Sequence, residues 1–205
     1  MNLIGLIGLK GSGKNTVGQY FVDNHGYTAV SFADCLKDCL SAIFGWDREM
    51  LEGATADSRE WRETVDEWWA EKLGIPDFTP RKAMTSFGTD VMRNHFHESI
   101  WLLTVERKIA TIDGPVIITD VRMPNELAMV YKMKGKIYRI TRGDDPVWAP
   151  TALLARNGDT HSKLSMISLF NVHESEWLLY GEEVDGVITN DTNLDDLYKQ
   201  CEAIL

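Results

Sequence analysis

Apolar positions along the chain follow two signatures: short runs bounded by turn residues, and longer stretches with apolar residues spaced three and four apart. The runs are Leu3 to Ile7, Tyr27 to Ser31, Val116 to Asp120, Lys136 to Thr141 and Asp185 to Thr189, and each reads as a strand. Val116 to Thr119 has no polar alternation before Asp120, the pattern of a parallel strand buried on both faces. Helical patterns cover Val17 to Asn24, the stretch after Asp34 to about Phe44, Pro124 to Lys134 and Leu194 to Leu205. Asp34 is the expected N-cap of the second of these, Pro124 stands in the first turn of the third, and Gly135 stops it.

The middle of the chain carries a different pattern. Trp61, Val65, Trp68, Trp69 and Leu73 are spaced to form one apolar helical face, expected to be core rather than a base-stacking platform. From Pro80, with Thr79 as cap, apolar residues at Ala83, Met84, Phe87, Val91 and Met92 predict a helix interrupted at Gly88-Thr89-Asp90. Another helix is expected from near His97 to Ile109, closed by the turn Asp113-Gly114-Pro115. Arg142 to about Val172 is rich in glycine, proline and scattered charge and predicts a loop-like lid, and His173 to Glu176 opens a short helix.

Composition narrows the function classes. A chain of 205 residues that is 44% hydrophobic buries one sizeable core, most simply as one domain with an appended insertion or lid. The formal net charge of −10 argues against gripping nucleic acid by its phosphates, although a local basic pocket still suits a small anion. Neither a leader pattern nor a membrane-length apolar run is visible, so a cytoplasmic protein without membrane contact is expected. Cys35, Cys39 and Cys201 lack paired spacing and fit reduced thiols. His95 and His97 lie two apart on or at the start of a helix, where they share no face, and the histidines predict no metal site.

The sharpest chemical signal is GLKGSGKNT, Gly8 to Thr16, between the first strand and the first helix. Glycines at 8, 11 and 13 let backbone N–H groups converge on one anion at the positive end of a helix, and Lys14 adds a mobile charge for β and γ phosphates. Asn15 occupies the place where the pattern has a hydroxyl, which comes one step later at Thr16. Asp120 ends its strand where P-loop proteins keep the acid that works on Mg²⁺. Lys37 in the first turn of a helix opposes the dipole, which an anion would relieve, though a solvated lysine explains it equally. Arg59 and Arg62 face either a substrate phosphate or solvent; Arg81 and Arg93 frame the glycine break; Arg142 and Arg156 stand at the hinge and in the interior of the lid.

Together GLKGSGKNT, SFADCLKD at 31 to 38, RKAMTSFGTDVMR at 81 to 93, VIITDVRMPNE at 116 to 126, YRITRG at 138 to 143, HESE at 173 to 176 and VITND at 187 to 191 resemble the phage deoxynucleoside monophosphate kinases. The resemblance covers most of the chain and is weakest from Gly45 to Pro80 and inside the lid. It implies an α/β, three-layer P-loop kinase fold: a parallel five-stranded sheet flanked by helices, with a helical substrate-binding insertion at 46–80 and a lid at 142–173. The implied reaction moves the γ-phosphoryl group of ATP to a deoxynucleoside monophosphate, with Mg²⁺. Gly11, Ser12, Gly13, Lys14, Asn15 and Thr16 would then hold the donor phosphates, Thr16 and Asp120 the Mg²⁺, and Asn190 the donor adenine side. Lys37, Arg81 and Arg122 would take the acceptor phosphate, and Arg142 the charge of the transferring group. A phage-encoded enzyme would work in the host cytoplasm. A homodimer is left open, as are a dephospho-coenzyme-A-like acceptor, a hydroxymethylated base in phage DNA, and a nucleotide-driven switch instead of an enzyme.

Overall fold

In the computed structural model, residues 2–205 are described. In chain order the elements are β1 (Leu3–Ile7), α1 (Lys14–His25), β2 (Thr28–Val30), α2 (Asp34–Phe44), α3 (Arg48–Glu52), α4 (Ala56–Glu63), α5 (Glu67–Leu73), α6 (Pro80–Thr85), a π-helix (Ser86–Phe96) and α7 (Ile100–Ile109). They continue with β3 (Val116–Ile118), α8 (Pro124–Lys132), β4 (Lys136–Thr141), α9 (Ala149–Arg156), α10 (Thr160–Ser168), α11 (Glu174–Trp177), β5 (Gly186–Thr189) and α12 (Leu194–Glu202).

All five strands are parallel, in the order β2-β3-β1-β4-β5, with β1 at the centre pairing Leu3 with Val116 and Ile4 with Lys136. β1 and β3 are buried along their whole length, which explains why their sequences run apolar without alternation. Phe21 and Val17 of α1 and Leu197 and Cys201 of α12 pack with Leu6, Ile117, Ile140 and Ile188 in one cluster. Burying each large side chain there contributes roughly 1.5–3 kcal/mol before the entropy of ordering it. The consequence for function is directional: parallel strands end together, so Ser31, Gly8, Asp120, Arg142 and Asn190 follow β2, β1, β3, β4 and β5 at the same carboxyl edge.

The chain divides into two compact units, one made of Met1–Ser31 and Lys108–Leu205 and one of Phe32–Arg107. The second, which contains the 46–80 segment, has its own core: Leu36, Leu40, Trp46, Leu51, Ala70, Phe78, Ala83 and Trp101 are buried together. Aromatic rings are stacked or set edge to face within it, as between Phe44 and Trp46 and between Trp46 and Trp61.

Several expectations about the helices are corrected. The Trp61 to Leu73 face belongs to two helices, because the Asp66 carboxylate caps α5 at Trp69 N and takes the Trp46 indole N–H at 2.7 Å. Trp61 and Trp69 pack on the core as expected, whereas Trp68 is 58% exposed. Gly88 does not interrupt its helix. The backbone widens into π geometry instead, and the Gly88 carbonyl accepts from the Trp101 indole at 2.9 Å. Arg81 and Arg93 therefore do not flank a helix end. Asp34 is the first helical residue, not the cap; Ala33 holds the cap position. The next helix starts at Ile100, later than His97. The 142–172 stretch is mostly helical: α9 and α10 bury Ala152, Ala155 and Met166 with Trp177. Its composition hides this because alanines carry the contact.

Candidate active site

The loop between β1 and α1 has the backbone of an anion cradle. Gly8, Gly11 and Gly13 have φ of 147°, 84° and 106°, and Gly13 is the N-cap of α1, so the free N–H groups of its first turn point into the loop. A side chain at Gly13 would meet Asn190 Nδ2 at 2.4 Å, and one at Gly8 would meet the Ile140 carbonyl at 2.3 Å. Both glycines are required by packing as well as by φ. Asn190, sent back by β5, donates from Nδ2 to the Ser12 carbonyl at 2.9 Å and so braces the loop.

Lys14 is only 7% exposed. Its Nζ donates to the carbonyls of Gly8 at 2.6 Å and Leu9 at 2.8 Å, so the ammonium is held by neutral dipoles of its own loop. Burial, with the nearby Arg122 guanidinium, pushes its pKa down to about 8 against the pull of Glu176 and Asp120. The Ser12 hydroxyl is buried without a hydrogen-bond partner in the same loop. A cation at reduced pKa and an orphan hydroxyl beside a helix N-terminus are what a phosphate would satisfy.

Glu176 of α11 already supplies one anion to this place. Its Oε2 accepts from the Lys10 backbone N–H at 3.1 Å, and its Oε1 accepts from the Arg122 guanidinium. Arg122 is further fixed through its backbone, which donates to Glu126 Oε2 at 2.8 Å. Asp120 Oδ2 accepts from the Ser31 hydroxyl at 2.6 Å, joining the ends of β3 and β2. Asn15 is exposed and Thr16 half-buried in the first turn of α1. Arg142 is exposed just beyond β4, where the next amide, Gly143 N, donates to Asp191 Oδ1 at 2.6 Å. Arg156 serves structure: it pairs with Glu182 and donates to the Tyr180 carbonyl at 3.3 Å.

In the other unit, Lys37 is 6% exposed and its Nζ meets Glu52 Oε1 at 2.7 Å. The anion that relieves its position near the start of α2 is thus the protein's own carboxylate. Glu52 also receives Arg48 Nη1 at 2.7 Å; burial alone would raise its carboxyl, but hydrogen bonds from Arg48 and Lys37 outweigh that and hold it below the usual range. Arg81 Nε meets Glu63 Oε1 at 2.9 Å.

No protein-family model matches the chain. A mimivirus protein (Acanthamoeba polyphaga mimivirus), provisionally named a deoxynucleotide monophosphate kinase, is 28% identical across 98% of this chain and 94% of its own length. The deoxynucleoside-5′-monophosphate kinase of Escherichia phage T5 is 30% identical over 60% of this chain and 69% of its own length. The chain belongs to the deoxynucleoside monophosphate kinase family. Among solved structures it resembles a dephospho-CoA kinase from Campylobacter jejuni (TM-score 0.47, 14% identity, 99% and 94% of the two chains) and a shikimate kinase from Bacteroides thetaiotaomicron (TM-score 0.47, 12% identity, 99% and 95%). These two likenesses are too distant to bear on its substrate.

For a kinase of this family, Mg²⁺ is the implied metal, and the residues present fit it. Asp120 and Thr16 offer the hard oxygen ligands Mg²⁺ takes, and Ser31 orients the Asp120 carboxylate. Among the described residues no group of three or more histidines, cysteines or acids is placed to hold a metal by itself. Such an ion, if bound, would take the rest of its ligands from phosphate oxygens and water. Sequence reading missed the involvement of Glu176 and Ser31. Both residues lie in stretches that carry the family resemblance, SFADCLKD and HESE, but their pairings had no local signal: Ser31 meets an acid at the end of the strand that pairs with β2, and the partners of Glu176 lie more than fifty residues away in sequence.

Proposed function

We propose that the protein transfers the γ-phosphoryl group of ATP to the phosphate of a deoxynucleoside 5′-monophosphate, giving the diphosphate and ADP. The observation that carries this reading is the Gly8–Thr16 loop, where a buried ammonium is held only by carbonyls at a helix N-terminus, in a chain of the kinase family. In the transfer, an ionised oxygen of the acceptor phosphate attacks the γ phosphorus and the bond to the β–γ bridging oxygen breaks. Negative charge collects on the β phosphate of departing ADP. No side chain has to remove a proton, so catalysis consists of alignment and charge compensation.

The backbone N–H groups of Gly11 to Lys14, with Ser12 and Asn15, receive the donor phosphates. Lys14 exchanges the Gly8 and Leu9 carbonyls for phosphate oxygens, which regain it a full charge partner. Mg²⁺, when bound, neutralises donor phosphate charge, and Thr16 and Asp120 are the residues that would hold it. Asn190, already braced on Ser12, stands on the donor side. Lys37, Arg81 and Arg122 bind the acceptor phosphate, and exposed Arg142 is free to meet the transferring group. No helix among the described residues is long and apolar enough to cross a membrane; the site of action proposed is the cytoplasm, that of the host for a phage-encoded chain.

The deciding experiment follows ADP release with saturating ATP and Mg²⁺ against a panel of deoxynucleoside and nucleoside monophosphates. Turnover with at least one deoxynucleotide is expected. Absence of turnover with every nucleotide acceptor would end this reading.

A further inference from the structure

Arg62 is the unexplained cation of the Phe32–Arg107 unit. It lies near the end of α4 and is 9% exposed, yet no carboxylate among the described residues forms an ion pair with it. Its Nε is buried with no hydrogen-bond partner. Its Nη1 makes one contact, to the Glu52 backbone carbonyl, stretched to 3.5 Å. Nη2 makes no hydrogen bond within the protein and is not sealed among the orphaned buried atoms, so it is where the guanidinium meets solvent. Nε and Nη2 lie on the same edge of the planar group, the edge that forms two parallel bonds to an oxyanion. That edge is empty.

The surroundings make the unpaired Nε harder to explain as structure. A buried arginine is stable when paired and hydrogen-bonded, and costly otherwise. Here burial, then the charge of Arg81, pushes the Arg62 pKa below its usual value, with Arg59 acting in the same sense and Glu63 and Glu52 opposing. Both acids are engaged elsewhere: Glu63 takes Arg81 and Glu52 takes Lys37 and Arg48. The backbone is also shaped to receive the group. Gly53, with φ of 67° after α3, lies against the guanidinium, and a Cβ there would fall 2.0 Å from Nη2. Only glycine suits that conformation and leaves the guanidinium its place.

We infer that Arg62 binds the dianionic phosphate of the acceptor nucleotide through its Nε–Nη2 edge, with Arg81 as its neighbour, and that the free protein holds this guanidinium unpaired. The identity of the anion rests on the kinase reading above; the existence of an oxyanion site at Arg62 does not. A purely structural arginine and a ligand arginine predict opposite stabilities. Removing a structural arginine lowers the melting temperature, whereas removing an unpaired buried charge leaves it unchanged or raises it.

The test uses the full chain with Arg62→Met, which keeps an apolar stem, and with Gly53→Ala, which keeps the arginine and displaces its head. Arg62→Met is expected to raise KM for the deoxynucleotide by roughly 100-fold while KM for ATP changes by less than about twofold. Its ligand-free melting temperature is expected to equal or exceed that of the wild type. The rise in melting temperature that inorganic phosphate gives the wild type should disappear. Gly53→Ala should shift KM for the deoxynucleotide in the same direction by roughly tenfold. An unchanged KM in Arg62→Met overturns the inference, as does a lower melting temperature of that variant with phosphate protection intact. Wild-type protein that phosphorylates no nucleotide but loses phosphate protection on Arg62→Met would overturn the kinase reading alone.

Discussion

The two units each hold buried cations, and they hold them differently. In the sheet unit, Lys14 is satisfied by two backbone carbonyls of its own loop, five and six residues away. In the helical unit, Lys37 is satisfied by a carboxylate of another helix, and Arg62 has only one long contact. The first arrangement is built from chain geometry, the second from side chains that three separate helices bring together. Backbone carbonyls are weak partners for an ammonium and give way easily to phosphate. A carboxylate is a strong partner, so Lys37 is partly neutralised before any ligand arrives, while Arg62 stays uncompensated. The Gly8–Thr16 loop is thus prepared by the backbone, and the charges at Lys37 and Arg62 are set by how many acids share them.

The largest test of this contrast is Lys14→Ala. Loss of the mobile charge is expected to lower turnover by about three orders of magnitude or more without unfolding the protein, because the side chain's partners are two carbonyls near solvent. An ADP-release assay beside a thermal melt checks both halves; an active variant would take the loop out of the mechanism. On the other side, Arg81→Ala is expected to raise KM for the deoxynucleotide by roughly 10- to 100-fold and to leave that for ATP nearly unchanged. Equal effects on both constants would erase the assignment of Arg81 to the acceptor.

A smaller effect of opposite sign sharpens the donor half. Glu176 occupies the Lys10 N–H of the donor loop, a group a donor phosphate would compete for, and also holds the Arg122 guanidinium. Glu176→Gln removes that charge, and affinity for ATP, read by nucleotide titration without acceptor, is expected to rise by roughly three- to tenfold. A fall would show that Glu176 supports the bound state instead. The smallest effect concerns pH. Lys14 has a pKa of about 8 in the free protein, lowered by burial, so it is charged below that pH and progressively neutral above it. ATP favours the charged form. Affinity should therefore weaken as pH rises from 7 through 9, by at most about tenfold over that whole range, with proton uptake on binding measurable by calorimetry in buffers of different ionisation enthalpy. A flat profile would place the Lys14 titration outside this range.

Much of the sheet unit was legible because its signals are local. Five apolar runs became five strands, and the loop at Gly8 stands where its glycines and lysine put it. Asp120 and Asn190 also follow their strands as expected. What escaped was less local. Trp61 to Leu73 is periodic enough for one helix, but the Asp66 side chain is placed to cap a new one and to bind Trp46. Gly88 looks like a break and is not one: the helix passes into π geometry and the Trp101 indole N–H donates to the Gly88 carbonyl. The 142–172 stretch reads as loop since its helices pack through alanine, which marks no pattern of its own.

Sequence alone therefore determined the strand positions, the glycine-rich loop at Gly8 to Thr16 and the residues carried to the carboxyl edge of the sheet. Each of these follows from short-range constraints: strand burial, glycine φ and the direction of a helix dipole. Tertiary structure alone decided which charges are compensated. Glu52 lies fifteen residues from Lys37, and Glu176 fifty-four from Arg122, and nothing in the intervening chain specifies that they meet. Arg62 shows the same dependence in reverse. Its character comes from having nearby acids, Glu52 and Glu63, that pair with other cations, and that partition exists only once the helices have packed.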